Sequence, residues 1–181
     1  MLKGDRVILG PIKRDYIETY LKWMNNPELT QYLLIYRPLT REMEEDWYNS
    51  LKNRENFFIF AILIYDQNKN EKLIGNCSID VNWQNRVGTC GIMVGETENQ
   101  GKGYGTEAMK LLVEYGFNTL NLNRIQLETY DFNIRALKSY KKVGFKEEGT
   151  RRKAIFKNGE YHDVIMMGIL KDEWPKKDSN E

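Results

Sequence analysis

The glycine-rich segment at residues 100–106 constrains the fold of this 181-residue chain more than any other feature, because of the stretches on either side of it. Residues 91–94 before it form a short apolar run of the kind found in strands. After it, apolar side chains recur at the i, i+3, i+4, i+7 spacing of an amphipathic helix, at Ala108, Leu111, Leu112 and Tyr115. The sequence therefore predicts a strand, a tight glycine loop and a helix in direct succession.

Such a loop predicts a binding site for phosphate or pyrophosphate. The first N–H groups of a helix lack partners within the helix, and the helix dipole places partial positive charge at the same end. Glycine lets an anion approach the backbone closely and adopts positive φ without strain. The alternative interpretation is a flexible loop whose three glycines bind nothing.

The spacing of the glycines restricts the ligand. Phosphate loops of nucleotide hydrolases require G-x-x-x-x-G-K-[ST], and dinucleotide folds require G-x-G-x-x-G. This segment matches neither pattern. What remains is Q-x-x-G-x-G, carried by Gln100, Gly103 and Gly105.

A second motif occupies residues 133–145. Asn133 is a candidate N-cap, because its side-chain oxygen can accept N–H bonds from the first turn of the helix that follows. Gly144 can end that helix in a left-handed conformation, with Phe145 beyond it to pack on the last turn. Tyr140 lies between them, and a lone tyrosine on a helix face is ordinarily a core residue.

Together the two motifs resemble those of the Gcn5-related N-acetyltransferase (GNAT) family. In that family Q-x-x-G-x-G holds the pyrophosphate of acetyl-CoA, and N-x-x-A-x-x-x-Y-x-K-x-G-F follows later in the chain. The resemblance extends over about residues 7–174 and is strongest towards the ribosomal-protein alanine N-acetyltransferases and the spermidine N-acetyltransferases. Residues 100–108, 140–149 and 158–167 carry this likeness.

The resemblance implies a mixed α/β fold in one domain over residues 1–174, with a loose tail at 175–181. The expected sheet is twisted, mixed and mostly antiparallel, with about seven strands and helices on both faces. Its fourth and fifth strands run parallel but splay apart, and the pantetheine arm of the cofactor fills the gap. Periodicity predicts strands at residues 7–12, 57–65, 72–81, 91–94, 124–130, 145–156 and 161–170. Helices are predicted at 15–25, ended by Pro27, after Thr40 as a candidate N-cap, after the glycine loop and after Asn133. Asn158 and Gly159 predict a hairpin turn between the last two strands.

The resemblance also implies roles for individual residues. Acetyl-CoA is the expected cosubstrate, and no metal is expected. Its pantetheine arm pairs with the backbone of Ile92, Met93 and Val94 and contacts Asn133, and the hydroxyl of Tyr140 protonates the departing thiolate. The pyrophosphate site comprises Gln100, Gly101, Lys102, Gly103, Tyr104, Gly105 and Thr106.

The expected reaction is direct attack of a primary amine on the thioester in a ternary complex. An amine attacks only when neutral, although a free alkylamine has a pKa of about 10.4, so the site must remove a proton. Glu128 and Asp80 are the candidate bases, but each is more commonly a solvated carboxylate of a strand, so the base stays unassigned. A backbone N–H near Met93 or Val94 is the candidate to stabilise the oxyanion.

The expected acceptor is a small-molecule amine or a protein N-terminus. The residues that could line its pocket are Trp23, Tyr32, Tyr36, Arg37, Trp47 and Trp83. A polyamine such as spermidine calls for a cluster of carboxylates, whereas residues 33–38 contain none and include Arg37, so this alternative is less favoured. Amino sugars, aminoglycosides and amino acids stay open.

Composition disfavours several other classes. The 27 basic and 26 acidic residues leave a net charge of +1, which predicts neither nucleic-acid nor membrane binding. His162 is the one histidine, and Cys77 and Cys90 lack metal-ligand spacing. With no apolar run of about 18 residues and no signal-peptide core, a cytoplasmic protein is expected. A homodimer through the late strands is a further expectation.

Two other functions would also use the glycine loop. A non-catalytic acyl-CoA sensor would need no proton donor, so the presence of Tyr140 disfavours it. A nucleotide-binding regulatory protein would use the loop for another pyrophosphate, but the chain lacks the lysine followed by serine or threonine of phosphate loops. Acetyl transfer to an amine is the function that the sequence favours.

Overall fold

The chain folds around one central sheet in the computed structural model, which describes residues 1–175. Within these residues its eight strands are β1 (Leu2–Lys3), β2 (Ile8–Gly10), β3 (Phe57–Tyr65), β4 (Glu71–Asn82), β5 (Val87–Val94), β6 (Arg124–Tyr130), β7 (Lys146–Lys157) and β8 (Glu160–Leu170). Their order is β1-β2-β3-β4-β5-β6-β8-β7, and only β5 and β6 pair in parallel. The predicted mixed α/β fold class is confirmed. The additional strand is β1, which is too short to show a periodic pattern.

Helices cover both faces of this sheet. Those of the described residues are α1 (Ile17–Met24), α2 (Pro27–Thr30), α3 (Arg41–Ser50), α4 (Tyr104–Asn118) and α5 (Ile134–Val143). Side chains of α4 and α5 pack in one cluster with Ile92, whereas those of α1, α2 and α3 pack in another with Met93. Because neighbouring residues of a strand point to opposite faces, the two helix layers lie on opposite sides of β5.

Local signals explain where the helices begin. Thr40 Oγ1 accepts a hydrogen bond from the N–H of Met43 at 3.4 Å, so the predicted cap of α3 is confirmed. Pro27, which was predicted to end the first helix, starts α2, because a proline in the first turn lacks only an N–H that would be unpaired there. α1 begins later than predicted, since Arg14–Tyr16 forms a 3₁₀ turn, which is common at helix N-termini.

Parallel pairing between β5 and β6 is brief. The paired residues are Val87 with Arg124, Gly88 with Ile125, and Thr89 with Gln126. Beyond them β5 continues beside β4 as far as Val94, and β6 continues beside β8 as far as Tyr130. The two strands therefore open a gap after Thr89, as the predicted splay requires.

Residues 176–181, which form most of the predicted tail, lie outside the described residues, and the domain boundary at residue 174 stays a prediction. Within the described part, no helix is both long enough and apolar enough to cross a membrane.

Gly88 is expected to tolerate no side chain, because the core is closed around it. A Cβ there would lie 2.4 Å from Cδ1 of Ile79 and 2.8 Å from Cδ1 of Leu122. Overpacking a core costs about 1–3 kcal/mol, so Gly88→Ala should lower the free energy of unfolding in urea by that amount. Gly91→Ala, in the same strand, is the matched control, since its Cβ would meet only Ser78 Oγ at 3.5 Å. Equal losses in the two variants would contradict this explanation.

Candidate active site

A cleft of about 710 Å³ occupies the gap between β5 and β6. Its walls are the diverging ends of the two strands, the glycine loop before α4, the start of α5 and, at one end, α2 with the turn that follows it. Of the residues predicted from the sequence, the lining includes Ile92, Met93, Val94, Gln100, Gly101, Gly103, Gly105, Thr106, Asn133 and Tyr140. The splay thus produces a cavity of the size that ligands occupy.

The glycine loop has a backbone that only glycine adopts readily. Gly101 and Gly103 have φ of 74° and 88°, and Gly103 is the N-cap of α4. Positive φ strains other residues, so these two glycines are a conformational requirement. Because Gly103, Gly105 and Thr106 all line the cleft, the unpaired N–H groups of the first turn of α4 lie next to it.

Two residues of the predicted pyrophosphate site do not line the cleft. Lys102 is exposed, and its carbonyl oxygen accepts a hydrogen bond of 3.0 Å from Nη1 of Arg6. The ring of Tyr104 lies beneath the same guanidinium, whose carbon is 5.0 Å from the ring centroid. The backbone of Lys102 and the side chain of Tyr104 therefore contact the N-terminal segment, and a contact with the cofactor stays a prediction for each residue.

Gln100 joins the two walls of the cleft. Its Nε2 donates to the carbonyl oxygen of Val94 at 2.9 Å, and its Oε1 accepts from Nη1 of Arg135 at 2.5 Å. Arg135 lies in the first turn of α5, and its guanidinium carbon is 5.8 Å from the ring centroid of Tyr32. Arg135 is not among the residues predicted from the sequence, because it occupies a position that the second motif leaves unspecified.

Tyr140 lies in the cleft beside Cys90, the first residue of β5 beyond the parallel pairing. Its side chain is buried, and burial raises the pKa of the phenol to about 12, with a smaller contribution from Cys90. Burial also raises the pKa of the Cys90 thiol. Both groups therefore keep their protons at neutral pH.

Polar side chains fasten the two helices that border the cleft. Oδ1 of Asn133 accepts from the N–H of Ala136 at 3.2 Å, so the predicted cap of α5 is confirmed. Because this bond uses the oxygen, Nδ2 is the end of Asn133 that can reach a ligand. Thr106 Oγ1 and Ser139 Oγ are 2.7 Å apart and connect α4 with α5.

The structure separates the two candidate bases. Glu128 lines the cleft and forms an ion pair with Arg151 of β7. Asp80 lies outside the cleft lining, is mostly exposed, and has Arg54 as an ion-pair partner at 4.0 Å. Among the described residues that line the cleft, Glu128 is the only carboxylate, and the cations are Arg135, Lys138 and Lys142.

Of the residues predicted to contact the acceptor, only Tyr32 lines the cleft. Its ring stacks on Phe132 with centroids 5.9 Å apart, and Phe132 stacks on Tyr130 at 5.4 Å. The other predicted residues lie elsewhere: Trp23 and Trp47 pack around Tyr20, and Tyr36, Arg37 and Trp83 are exposed. The sequence could not separate these groups, because aromatic residues occur both in cores and in pockets.

A buried lysine holds the turn that carries Tyr32. Lys157, the last residue of β7, is 7% exposed, and its Nζ donates to the carbonyl oxygens of Thr30 at 3.2 Å and Ile35 at 3.1 Å. Nζ also lies 4.2 Å from the ring centroid of Tyr36, and burial lowers the pKa of the amine. The β7–β8 hairpin therefore sets the position of this end of the cleft.

The histidine and the two cysteines form no metal site within residues 1–175. Nδ1 of His162 lies 3.4 Å from Oδ1 of Asp131, and its ring centroid is 4.5 Å from that of Phe132. Cys77 and Cys90 are buried free thiols. Across residues 1–175, no group of three or more His, Cys, Asp or Glu side chains is arranged to hold a metal ion.

Comparisons with known proteins agree with this fold and cleft. Residues 6–146 match a family model described as an acetyltransferase (GNAT) domain. The chain is 28% identical over 179 residues to the uncharacterized N-acetyltransferase p20 of Bacillus licheniformis, which covers 96% of this chain and 97% of that one. It is 33% identical over 117 residues to the putative ribosomal N-acetyltransferase YdaF of Bacillus subtilis strain 168, over 64% of this chain and 61% of that one.

Solved structures give the same result. Spermidine N-acetyltransferase from Vibrio cholerae, in complex with CoA and spermine, superposes with a TM-score of 0.83 at 28% identity, over 94% of this chain and 98% of that one. A dodecameric structure of that enzyme superposes with a TM-score of 0.78 at 27% identity, over 94% and 96%. The family model spans most of the chain, which confirms the family predicted from the two motifs. The chain therefore belongs to the acetyltransferase (GNAT) domain family and is an N-acetyltransferase.

Proposed function

We propose that this N-acetyltransferase takes the acetyl group of acetyl-CoA and transfers it directly to a primary amine. The position of Tyr140 carries the proposal, because it is a buried proton donor in the cleft between the diverging strands. A sensor that only bound an acyl-CoA would need no such donor. The relative from Vibrio cholerae, described in complex with CoA, supports the choice of cosubstrate.

The cleft residues fit the chemical parts of this cosubstrate. The diphosphate is an anion, which suits the N–H groups of the glycine loop and of the first turn of α4. The pantetheine arm contains amides, which can pair with the backbone of Ile92 and Val94, because within residues 1–175 this edge of β5 has no strand partner beyond Thr89. The carbonyl oxygen of Met93 lies 2.0 Å from the point that a Cβ of Gly75 would occupy, so the backbone of Met93 faces β4 instead. Nδ2 of Asn133 can donate a further hydrogen bond to a carbonyl of the arm.

In the proposed reaction, the lone pair of the neutral amine forms the C–N bond, and the C–S bond of the thioester breaks. The backbone N–H of Val94, which faces the gap together with the Val94 carbonyl that Gln100 contacts, stabilises the oxyanion that forms between these events. Tyr140 holds its proton at neutral pH, because the pKa is about 12, and gives it to the departing sulfur. The residues of the chain thus bind the anion, stabilise the oxyanion and supply the proton.

Glu128 is the carboxylate that we propose for the proton of the amine. It lines the cleft and forms an ion pair with Arg151. Both side chains are half exposed, and exposed ion pairs contribute about 0–1 kcal/mol, so an incoming ammonium group can replace Arg151 at small cost. Asp80 has no part in this proposal.

A polyamine is the acceptor class that the structural relative supports, because that enzyme is a spermidine N-acetyltransferase described with spermine bound. The ribosomal relative supports a protein N-terminus instead. The charges of the cleft do not by themselves favour a polycation, because Glu128 is the one carboxylate of the described lining, whereas Arg135, Lys138 and Lys142 are cations. We propose a primary amine, with a polyamine as the first candidate because of the structural relative.

We also propose that the enzyme is cytoplasmic and oligomeric. Two buried free thiols suit a reducing compartment. β7 is an edge strand of the sheet, and Phe156 and Tyr161 beside its end are 51% and 66% exposed. Unpaired edge strands favour association with another chain, and the dodecameric relative supports an assembly. Analytical ultracentrifugation would distinguish a homodimer from a larger assembly.

The direct test of the reaction is the release of free thiol from acetyl-CoA in the presence of different amines. The panel contains spermidine, spermine, an amino sugar, an aminoglycoside, free amino acids and a peptide with a free N-terminus. Release with one class would identify the acceptor. A rise in melting temperature with coenzyme A, but no release with any amine, would favour a sensor. The absence of both thiol release and a rise in melting temperature would contradict the proposal.

Tyr140→Phe should lower kcat by about 10²-fold or more, because general acid catalysis contributes about that factor. Its dissociation constant for coenzyme A, measured by calorimetry, should stay within about twofold of wild type, since the ring and its packing remain. Tyr115→Phe is the matched control, because Tyr115 packs on Phe58 and Phe60 outside the cleft lining. Unchanged turnover in Tyr140→Phe would remove Tyr140 from the mechanism.

Arg151→Gln should raise kcat/KM for spermidine by about two- to fivefold, because it frees Glu128 from an ion pair worth up to about 1 kcal/mol. Arg152→Gln removes a neighbouring exposed charge that is not paired with Glu128 and serves as the control. Steady-state kinetics with spermidine would measure both. If kcat/KM falls for Arg151→Gln but not for Arg152→Gln, Glu128 does not receive the acceptor.

A further inference from the structure

The N-terminal segment lies against the glycine loop from outside the cleft. Arg6 precedes β2, and its guanidinium reaches three consecutive residues of the loop, Lys102, Gly103 and Tyr104. Neither Arg6 nor the side chains of Lys102 and Tyr104 contribute to the cleft lining, whereas Gly103 does. The arginine is therefore on the side of the loop away from the ligand.

Glu107, in the first turn of α4, fixes this arrangement. Its Oε1 accepts from the backbone N–H groups of Arg6 at 2.7 Å and Val7 at 3.0 Å. Its Oε2 accepts from Nε of Arg6 at 3.1 Å. One carboxylate thus holds both the backbone and the side chain of Arg6 against the start of the helix.

The other nitrogens of the guanidinium face the loop. Nη1 donates to the carbonyl oxygen of Lys102 at 3.0 Å. Nη2 lies 3.1 Å from the point that a Cβ of Gly103 would occupy, and the guanidinium carbon is 5.0 Å from the ring centroid of Tyr104. Because the guanidinium is planar and rigid, fixing Nε on Glu107 also fixes the direction of Nη1.

The bond to Lys102 orients one peptide group of the loop. In a trans peptide the C=O and the following N–H point in opposite directions. Arg6 holds the carbonyl of Lys102 on the outer side, so the N–H of Gly103 is directed to the inner side, where Gly103 lines the cleft. This N–H is one of the donors that an anion at the start of α4 would use.

We propose that Arg6 is a positioning residue for the diphosphate of the cosubstrate and acts through the carbonyl of Lys102. This inference rests on the proposed function only in taking acetyl-CoA as the ligand. The side chain of Arg6 is 53% exposed, and exposed ion pairs add about 0–1 kcal/mol to stability, so the fold does not depend on it. Its effect is therefore on affinity for the diphosphate.

The test compares two acetyl donors that differ in the diphosphate: acetyl-CoA and S-acetylpantetheine, which ends before it. Arg6→Gln should lower kcat/KM for acetyl-CoA by about five- to tenfold, because the peptide group between Lys102 and Gly103 loses the hydrogen bond that orients it. With S-acetylpantetheine, kcat/KM should stay within about twofold of wild type. Arg41→Gln is the matched control, since Arg41 is also exposed and pairs with Glu18 and Glu45 away from the loop.

Arg6→Lys separates orientation from charge. Lysine keeps the positive charge but lacks the planar fork that binds Glu107 and Lys102 together, so it should resemble Arg6→Gln. Restoration of wild-type kcat/KM by lysine would overturn the positioning role in favour of simple attraction. Equal losses with both acetyl donors, or no loss with acetyl-CoA, would also overturn it.

Binding by the wild type distinguishes failure of this inference from failure of the proposed function. Coenzyme A should raise the melting temperature of the wild type, and the rise should be smaller for Arg6→Gln. Equal rises in the two proteins would overturn the role of Arg6 and leave acetyl-CoA as the cosubstrate. No rise in the wild type would overturn acetyl-CoA as the cosubstrate.

Discussion

Parallel hydrogen bonding between β5 and β6 stops after Thr89, and the positions of the surrounding helices and loops follow from the gap that opens there. Within the part of the chain that the structure describes, the backbone of β5 beyond this point has one edge without a strand partner, and buried backbone groups require partners. The N-termini of α4 and α5 both lie next to this gap. The open edge of β5, the start of α4 and a buried phenol are therefore brought together by one interruption in the sheet.

The gap also connects the two sides of the sheet. α4 and α5 lie on one side with Ile92, and α1, α2 and α3 lie on the other with Met93. A continuous sheet would separate these layers, whereas here the glycine loop and the turn carrying Tyr32 border the same cleft. Elements from both sides of the sheet therefore border one cleft that contains Tyr140, which is the geometry that the proposed direct transfer between two substrates requires.

Features that depend on a few neighbouring residues could be predicted from the sequence. The caps at Thr40 and Asn133 are examples, as is the hairpin turn at Asn158 and Gly159, whose φ values are 52° and 86°. Contacts between distant residues could not be predicted. Arg6 meets Lys102 across 96 positions, and Arg135 meets Gln100 across 35. Likewise, Glu128 and Asp80 are both exposed strand carboxylates, and only tertiary structure brings one of them to the cleft.

The burial of Tyr140 has a consequence for the timing of proton movement. Burial raises the pKa of the phenol to about 12, so proton transfer from the phenol to the thiolate alone would leave a buried phenolate, which is unfavourable. The cost disappears if the phenol regains a proton as it gives one away, and the ammonium formed by amine attack can supply it. Tyr140 would then act as a conduit through which one proton enters as another leaves, and a tyrosinate would never accumulate during turnover.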